Sequence, residues 1–397
     1  MAINKEQNKL NVPHLRFPEF HGEWEEHGLS EYLDFKNGLN PDSKRFGKGI
    51  KFISVMDILN NPVITYDCIR ASVQATDAEI SSFSVENGDI LFQRSSETLE
   101  DVGRANVYID DKVAVFGGFV IRGKKKANYD PLFFRYLLSS PYARKRIIPM
   151  GAGAQHFNIG QEGLSKVSLN FPSIEEQTKI ASLLHLLDER IATQSKLIEK
   201  LESLIKGIVD CTILRKEKNA IVGDVCSISE QIRAEANIDD IITVRLHGNG
   251  VCKSSAENLQ LGATQYYRRR AGQLIYGKQN FHNGAIGIVP ISLDNGITSK
   301  DIPSFDIDEM KCNSVYLLAQ LQSPQYYKPA EALTTGTGSK RLKEETFLKL
   351  PIVLPNKREQ DNIAVLIHRA SMNLDHAKRL LELLSIQKQF LLRQMFI

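Results

Sequence analysis

The chain repeats itself at a separation of 183 residues, and this repetition limits the folds available to it. Residues 169–181 align with 352–364 and share a proline, a Glu-Gln pair and an Ile-Ala pair at the same spacing. Upstream, the Ser-Pro pair at 140–141 aligns with the one at 323–324. Solenoid repeats have periods of roughly 20–50 residues, so this longer period predicts a tandem duplication of one domain-sized unit.

Shorter matches with small insertions extend the duplication upstream. Residues 88–94 align with 272–278, and the Gly-Ala-Gly at 151–153 aligns with the Gly-Thr-Gly at 336–338. Each copy is therefore expected to be a long variable segment followed by a helix.

A long amphipathic helix is predicted at the end of each copy. Ser173 and Glu176 have the spacing of a capping box, in which a polar residue at the helix start and a glutamate three residues later exchange hydrogen bonds; Asn356 and Glu359 repeat it. Apolar residues then alternate at separations of three and four, which is typical of a coiled-coil seam. The predicted seam is Leu184, Leu187, Ile191, Ile198, Leu201, Ile205, Leu374, Leu381, Leu384 and Leu391.

Two interpretations of these helices remain open: ordinary amphipathic core helices, or a mutually packed pair. The pattern occurs in both copies, and no Gly or Pro lies between Ser173 and Lys206, which favours the pair. Roughly 35 helical residues extend about 50 Å, so an antiparallel pair would act as a spacer between two heads related by a pseudo-two-fold axis.

The predicted fold class is α+β, with two globular domains separated by an antiparallel pair of long helices. The predicted boundaries are an N-terminal segment 1–20, a first globular domain 21–171, a first long helix 172–215, a second globular domain 216–354 and a second long helix 355–397.

Within the heads, short apolar runs predict strands and two helix starts are recognisable. The runs at 49–55, 89–92 and 286–290 are bounded by turn residues. Asp130-Pro131 has the form of an N-cap followed by proline at the first helical position, and its counterpart begins at Asn313. The aromatic residues of these helices are expected in the core.

Composition places the chain among ordinary globular proteins. Of its 397 residues 42% are hydrophobic and 24% charged, and the formal net charge is +3, so any nucleic-acid-binding surface must be local. The five cysteines form no Cys-x-x-Cys pair, which argues against a zinc ribbon or a disulfide framework. With no signal peptide and no apolar run approaching ~18 residues, the expected location is the cytoplasm, away from membranes.

Catalytic motifs are incomplete. The loop from Gly336 to Lys340 lacks the spacing of a phosphate-binding loop. The sequence from Asp130 to Phe133 departs at its third position from the D/N/S-P-P-Y/F turn of amino-methylating DNA methyltransferases, and a helix start explains it better. The nine histidines show no metal-ligand spacing. We therefore predict no catalytic residue, no metal site and no cofactor bound by this chain.

Acid-free basic stretches indicate where DNA would bind. No acidic residue lies between Asp130 and Glu162, between Glu257 and Asp294, or between Glu331 and Glu344. Such segments beside glycine-rich loops suit a phosphate backbone, and Arg, Lys, Asn and Gln on loops suit base edges. The alternative for each stretch is a solvated face, but their occurrence in both copies favours DNA.

The candidate contacts divide by chemistry. Phosphate positioning is assigned to Arg144, Lys145, Arg146, Arg268, Arg269 and Arg270. Base reading is assigned to Arg94, Gln155, Asn158, Lys278, Gln279 and Asn280. Ser95, His156, Lys340 and Arg341 complete the set, with residues 155, 156 and 158 expected to correspond to 340, 341 and 343. His156 has a structural role as its alternative.

The repeated motif resembles the conserved region of type I restriction–modification specificity subunits. The pattern Pro-x-x-x-Glu-Gln-x-x-Ile-Ala begins at Pro172 and again at Pro355, each time followed by the seam-bearing helix, and residues 13–24 resemble the N-termini of that family. The second copy departs from the first where Asp188 is replaced by Ser371 and where Lys388 lies on the seam.

The resemblance implies a division of labour. Two target recognition domains would each read one half of a split site in double-stranded DNA, and the helices would dock two methyltransferase subunits. Restriction/translocase subunits would complete the assembly. S-adenosylmethionine, ATP and Mg²⁺ would belong to those partners, methylation would fall on adenine N6, and this chain would be a non-catalytic subunit.

The two heads differ almost everywhere outside their shared anchors, which predicts an asymmetric site. Two readers on one face of DNA should have half-sites centred about one turn, roughly 10–10.5 base pairs, apart. Two other functions remain open. One is a self-sufficient methyltransferase or nuclease, which the incomplete motifs disfavour. The other is a coiled-coil adaptor that binds only proteins, which a salt-dependent DNA shift in the presence of the methyltransferase subunit would exclude.

Overall fold

The computed structural model describes residues 11–254, 264–336 and 340–397. These residues form two compact units. Unit 1 contains the described residues up to Gln194 together with Leu380–Ile397, and unit 2 contains the described residues of Ser195–Arg379. Each unit therefore holds one globular head and a part of each long helix.

Unit 1 has an α+β head. Its strands are β1 (Glu25–Gly28), β2 (Leu33–Asn37), β3 (Phe46–Ile53), β4 (Ser72–Val73), β5 (Ser84–Val85), β6 (Ile90–Gln93), β7 (Ser95–Ser96), β8 (Ala105–Val107), β9 (Ala114–Phe116), β10 (Val120–Lys125), β11 (Phe157–Asn158) and β12 (Ser168–Phe171). Its helices are α1 (Leu29–Tyr32), α2 (Val55–Asn60), α3 (Asp77–Phe83), α4 (Pro131–Ser139), α5 (Pro141–Ile147) and α6 (Gln161–Ser165), followed by the long helix α7 (Ile174–Val209).

Two four-stranded sheets build this head. The central sheet has the order β2-β10-β6-β8 and is antiparallel, and the second has the order β4-β3-β9-β5 with β3 and β9 parallel. The main core packs α4 and the start of α7 against the central sheet through Phe92, Phe133, Phe134 and Leu184, all 0% exposed. The aromatic residues of α4 thus lie in the core, as predicted.

Unit 2 repeats the central sheet and varies the rest. Its strands are β13 (Ala220–Ile221), β14 (Cys226–Ile228), β15 (Arg233–Ala234), β16 (Ile242–Val244), β17 (Val251–Lys253), β18 (Tyr266–Arg268), β19 (Leu274–Tyr276), β20 (Ile286–Ile288), β21 (Ile297–Ser299), β22 (Ser304–Ile307) and β23 (Pro351–Ile352). Its helices are α8 (Ser314–Leu321), α9 (Pro324–Tyr327) and α10 (Glu344–Leu348), followed by the long helix α11 (Lys357–Gln394).

The central sheets of the two units correspond strand for strand. The order β14-β22-β19-β20 in unit 2 matches β2-β10-β6-β8 in unit 1. The second sheet of unit 2 has only three described strands, in the order β15-β18-β21, and all of its pairings are antiparallel. The α+β class and the duplication are confirmed, and the variable part of each head lies in its second sheet.

The long helices pack against each other in an antiparallel manner. Lys388 Nζ lies 2.5 Å from Asp188 Oδ1 in unit 1, and Lys378 Nζ lies 2.8 Å from Glu202 Oε1 in unit 2, so partner numbers fall along α11 as they rise along α7. The predicted seam side chains face inward. Leu184, Leu187, Ile198, Leu384 and Leu391 are buried, and Ile191, Leu201, Ile205, Leu374 and Leu381 are half-buried.

Each long helix is capped at its start, but the predicted capping boxes form only by half. The Ser173 hydroxyl accepts from the Glu176 amide (3.4 Å), and Asn356 Oδ1 accepts from the Glu359 amide (3.0 Å). The glutamates do not complete the exchange, because Glu176 forms a two-pronged ion pair with Arg16 and Glu359 pairs with Lys216. Each carboxylate instead connects the start of its helix to an earlier part of the chain, at Arg16 for the first helix and at Lys216 for the second.

The glutamine of the repeated motif connects each long helix to its head. Gln177 Oε1 accepts from the Asp130 amide (3.1 Å), and Gln360 Oε1 accepts from the Asn313 amide (2.9 Å). Asp130 and Asn313 are the N-caps of α4 and α8, which begin where the sequence predicted. Both glutamines are buried, so the motif fixes the angle at which the helix leaves the head.

Candidate nucleic-acid interface

Three segments of unit 1 meet beside Arg94, at the end of β6. The Arg94 amide donates to the Phe119 carbonyl (2.9 Å) in the turn between β9 and β10, and the Arg94 carbonyl accepts from the Ile159 amide (2.9 Å). Ser95 pairs with Asn158 in the short ladder of β7 and β11, and the Ser95 hydroxyl also bonds the Asn158 side-chain oxygen. The structure therefore brings the sequence-predicted residues Arg94, Ser95 and Asn158 together.

Unit 2 repeats this arrangement at the end of β19. The Lys278 amide donates to the Asp301 carbonyl (2.9 Å) between β21 and β22, and the Lys278 carbonyl accepts from the Leu342 amide (2.9 Å). The same two backbone hydrogen bonds thus hold the corresponding loops of both heads.

A short hairpin completes each arrangement. Ala152 bridges Asn158 in unit 1, and Thr335 bridges Arg341 in unit 2. Both pairs are related by the 183-residue repeat, so Asn158 corresponds to Arg341.

The predicted correspondence of these hairpins is wrong by two residues. It followed the Gly-Ala-Gly and Gly-Thr-Gly sequences, part of which lies outside the described residues, whereas backbone pairing fixes the register. Lys343, predicted to correspond to Asn158, is instead the N-cap residue of α10, just as Gly160 is that of α6.

The reading face of unit 1 carries a cation, Arg94, that has no acidic partner in the described part of the chain. We define this face as Arg94, Ser95, Gln155, His156 and Asn158. Arg94 is half-buried, its Nη1 donates to the Gly118 carbonyl (3.3 Å), and no carboxylate among the described residues pairs with it. Gln155, His156 and Asn158 are exposed. In the major groove, an arginine can donate to guanine, and the neighbouring exposed amide side chains can hydrogen-bond with adenine.

The reading face of unit 2 holds its central cation in an ion pair. We define this face as Lys278, Gln279, Asn280, Lys340 and Arg341. Lys278 Nζ lies 2.7 Å from Glu344 Oε1, and its side chain is only 11% exposed. Gln279 and Asn280 are exposed. The two amide side chains are therefore accessible to a base edge, whereas the Lys278 ammonium is held in an ion pair with Glu344.

The other two cations of this face are also paired. Arg341 lies 3.2 Å from Asp301, and Lys340 lies 3.4 Å from Glu331. The stretches that are acid-free in sequence are therefore not acid-free in the fold, because acids at their edges or from other loops approach them.

The basic triplet of α5 is divided between two faces. Arg144 Nη2 donates to the carbonyls of Glu100 (2.8 Å) and Val102 (2.6 Å), and burial lowers the pKa of Arg144 to about 10. Arg144 therefore holds the loop after β7 in place, and this environment does not fit its assignment to phosphate contact.

Lys145 and Arg146 point elsewhere, because successive residues of a helix are rotated by about 100°. Both are exposed and line a groove with His14 and Arg393. The Arg146 guanidinium stacks 4.0 Å from the centre of the Tyr142 ring. This groove does not include any residue of the reading face.

Arg269 is a structural arginine, which contradicts its assignment to phosphate contact. It is 0% exposed and donates to Thr298 Oγ1 (2.7 Å), Ser304 Oγ (2.9 Å) and the Ile302 carbonyl (3.0 Å). Burial lowers its pKa to about 10. Side chains alternate sides along extended chain, so Arg268 and Arg270 are exposed.

Sequence reasoning missed the turn formed by Gly117, Gly118 and Phe119, which supplies the third segment beside Arg94 in unit 1. Phe119 is 68% exposed, which is unusual for phenylalanine. The glycine pair between two apolar runs is the signal that marked this turn.

In the part of the chain that the structure describes, His, Cys, Asp and Glu side chains form no group of three or more that could hold a metal ion. Nor is any helix of those residues both long and apolar enough to cross a membrane.

Comparisons with known proteins agree with this architecture. Residues 21–203 match the family described as the type I restriction modification DNA specificity domain. The chain is 20% identical over 399 residues to the type I restriction enzyme MjaVIII specificity subunit of Methanocaldococcus jannaschii, covering 92% of this chain and 89% of that protein. It is 25% identical over 214 residues to a protein assigned as the MjaX specificity subunit of the same organism, covering 53% of this chain and 49%, about half, of that relative.

A solved structure shows the same fold. The crystal structure of the type I restriction–modification system S subunit from M. genitalium has a TM-score of 0.64 at 14% sequence identity, covering 97% of this chain and 99% of that one. Residues 21–203 thus resemble a type I restriction modification DNA specificity domain, and the chain as a whole has the fold of that S subunit.

Proposed function

We propose that this chain is non-catalytic and that each head reads one half of an asymmetric, bipartite site in double-stranded DNA. One observation carries the proposal: the same three-segment backbone arrangement presents different side chains in the two units. Arg94, Ser95 and Asn158 occupy it in unit 1, and Lys278, Gln279 and Arg341 occupy the corresponding positions in unit 2. Because base-edge contacts select sequence, two such faces imply two different half-sites.

Binding would combine these contacts with phosphate neutralisation. The exposed Lys145 and Arg146 in unit 1 and the exposed Arg268 and Arg270 in unit 2 are the assigned cations that remain available. Each phosphate contact releases counterions, so affinity for DNA should fall steeply as salt rises. The reading faces then fix which adenine is presented for methylation.

The long helices would dock two methyltransferase subunits, which restriction/translocase subunits then join. In unit 1, Leu383, Ile386 and Phe390 of α11 are 55%, 56% and 55% exposed at helical spacing. In unit 2, Leu204 of α7 and Leu366 of α11 are each 52% exposed. Rows of exposed apolar side chains mark protein–protein surfaces. S-adenosylmethionine, ATP and Mg²⁺ would be bound by those partners.

Methylome sequencing tests this proposal directly. Cells expressing this chain with its methyltransferase partner should carry one asymmetric bipartite motif methylated at adenine N6, with half-sites centred about one turn, roughly 10–10.5 base pairs, apart. Cells with the methyltransferase alone serve as the control and should lack the motif. A continuous or palindromic motif would contradict two unlike readers, and S-adenosylmethionine binding by the purified chain would indicate a self-sufficient enzyme.

A further inference from the structure

An apolar recess adjoins the reading face of unit 1. It encloses about 460 Å³. Its lining includes three exposed apolar side chains, Phe119, Met56 and Phe46, which have 68%, 59% and 43% of their surface exposed. The buried Leu39 and Phe52 also line it. Large apolar groups that remain exposed around one depression indicate a surface that is covered when a ligand binds.

The recess and the reading face are continuous. Ser95 belongs to both. The Arg94 amide donates to the Phe119 carbonyl (2.9 Å), and Arg94 Nη1 donates to the Gly118 carbonyl (3.3 Å), so the arginine and the phenylalanine are held on one turn. A base pair contacted by Arg94 would therefore place its neighbour over the recess.

The turn that presents Phe119 is tightly fixed. A Cβ on Gly38 would lie 2.1 Å from the Gly117 carbonyl oxygen, so glycine is required for this close approach. Leu39 bridges Gly117 in the same place. A side chain presented on such a turn is pre-organised for contact and loses little freedom on binding.

The lining of the recess selects what can enter it. No acidic or basic side chain is among the residues that line it, so a phosphate would not be neutralised there. On the major-groove edges of DNA, the aliphatic group available to apolar contact is the thymine 5-methyl, for which phenylalanine is a suitable partner.

We propose that this recess is a specificity-determining site that receives the 5-methyl group of a thymine next to the base pair contacted by Arg94. The inference rests on the proposed function and adds the identity of one recognised group. The corresponding turn of unit 2 carries Asp301, ion-paired with Arg341, so this apolar contact is assigned to unit 1 alone.

Replacing thymine with uracil tests the proposal, because it removes the methyl group and keeps the hydrogen-bonding edge. The full complex of this chain with its methyltransferase subunits is titrated with duplexes of its own site, in which each thymine is replaced in turn. One thymine, in one half-site, should show an affinity loss of about fourfold, the factor expected for burying one methyl-sized group.

A variant then assigns the effect to the recess. Phe119→Ala should abolish the discrimination between thymine and uracil at that position, whereas Met310→Ala, a side chain 87% exposed in unit 2, should leave it unchanged. Specific binding that is insensitive to uracil at every thymine, or discrimination that survives Phe119→Ala, overturns this assignment while the proposed function stands. Absence of any sequence-specific site overturns both.

Discussion

Units 1 and 2 share a backbone plan but place their ion pairs in different regions. Where the head of unit 1 meets the long helices, Asp188 accepts from the Tyr136 hydroxyl (2.9 Å) and lies 3.3 Å from Arg135 and 2.5 Å from Lys388. The repeat puts four uncharged residues at the corresponding positions of unit 2: Ser371, Ala319, Leu318 and Ile205. Ser371, Ala319 and Ile205 line a groove of about 490 Å³.

The reading faces show the opposite distribution. Arg94 has no carboxylate partner among the described residues, whereas Lys278 is paired with Glu344 and Arg341 with Asp301. Duplication has therefore preserved the backbone hydrogen bonds that position the loops, while charges have been redistributed. At the positions compared, unit 1 has an ion cluster at its helix junction and an unpaired cation, Arg94, on its reading face. Unit 2 has uncharged residues at that junction and holds Lys278 and Arg341 of its reading face in ion pairs.

Removing the carboxylate at the junction of unit 1 should have the largest effect on stability. Asp188→Ala leaves Arg135 and Lys388, which are 15% and 26% exposed, without their shared counter-ion, and should lower the free energy of unfolding by ~2 kcal/mol. Ser371→Ala, at the corresponding position of unit 2, should cost less than about 0.5 kcal/mol. Urea unfolding of the two variants measures the difference, and equal losses would show that the two junctions are energetically alike.

Copying the junction of unit 2 into unit 1 should recover part of that loss. Asp188→Ser alone leaves the Lys388 ammonium without its carboxylate partner. Adding Lys388→Ile removes that ammonium, so the double variant should have a free energy of unfolding ~1 kcal/mol higher than the single variant. Lys388→Ile alone completes the double-mutant cycle. If the two changes add with no coupling, Lys388 is an ordinary exposed lysine and the ion cluster is not the basis of the junction.

The parts of this fold that follow from local pattern could be predicted from the sequence. The seam of α7 and α11 and the starts of α4 and α8 depend on residue spacing and on N-caps within a few positions, and all lie where the pattern indicated. The second sheets could not be predicted. β3 pairs with β9 in parallel, whereas β18 pairs with β21 in antiparallel fashion, and the segments that form them share no anchor residues.

The charges of the candidate site illustrate the same limit. Arg268 and Arg269 are adjacent in sequence, yet one is exposed and the other is fully buried, because Thr298 and Ser304 come from other strands. The availability of a cation is set by segments distant in the chain. Residue type and local charge therefore nominate candidate loops for DNA contact, but they do not show which side chains of those loops are free.

Glu344 allows the charge difference between the two reading faces to be tested with one substitution. The 183-residue repeat aligns it with Gln161 of unit 1, which has the same shape without the charge. Glu344→Gln makes the two faces alike at this position and releases the Lys278 ammonium. Affinity of the complex for its DNA should rise by up to about fivefold at low salt, the effect of a partly screened charge worth ~1 kcal/mol, and the gain should shrink as ionic strength increases.

The neighbouring Glu345→Gln is the matched control, since Glu345 is exposed and the same net charge is lost without freeing Lys278. Binding curves at several salt concentrations separate the two effects. An equal gain in both variants would mean that only net charge matters and that Lys278 is a structural residue. A gain confined to Glu344→Gln would instead show that the Lys278 ammonium can contact DNA once Glu344 no longer pairs with it. The corresponding cation of unit 1, Arg94, has no such carboxylate partner among the described residues.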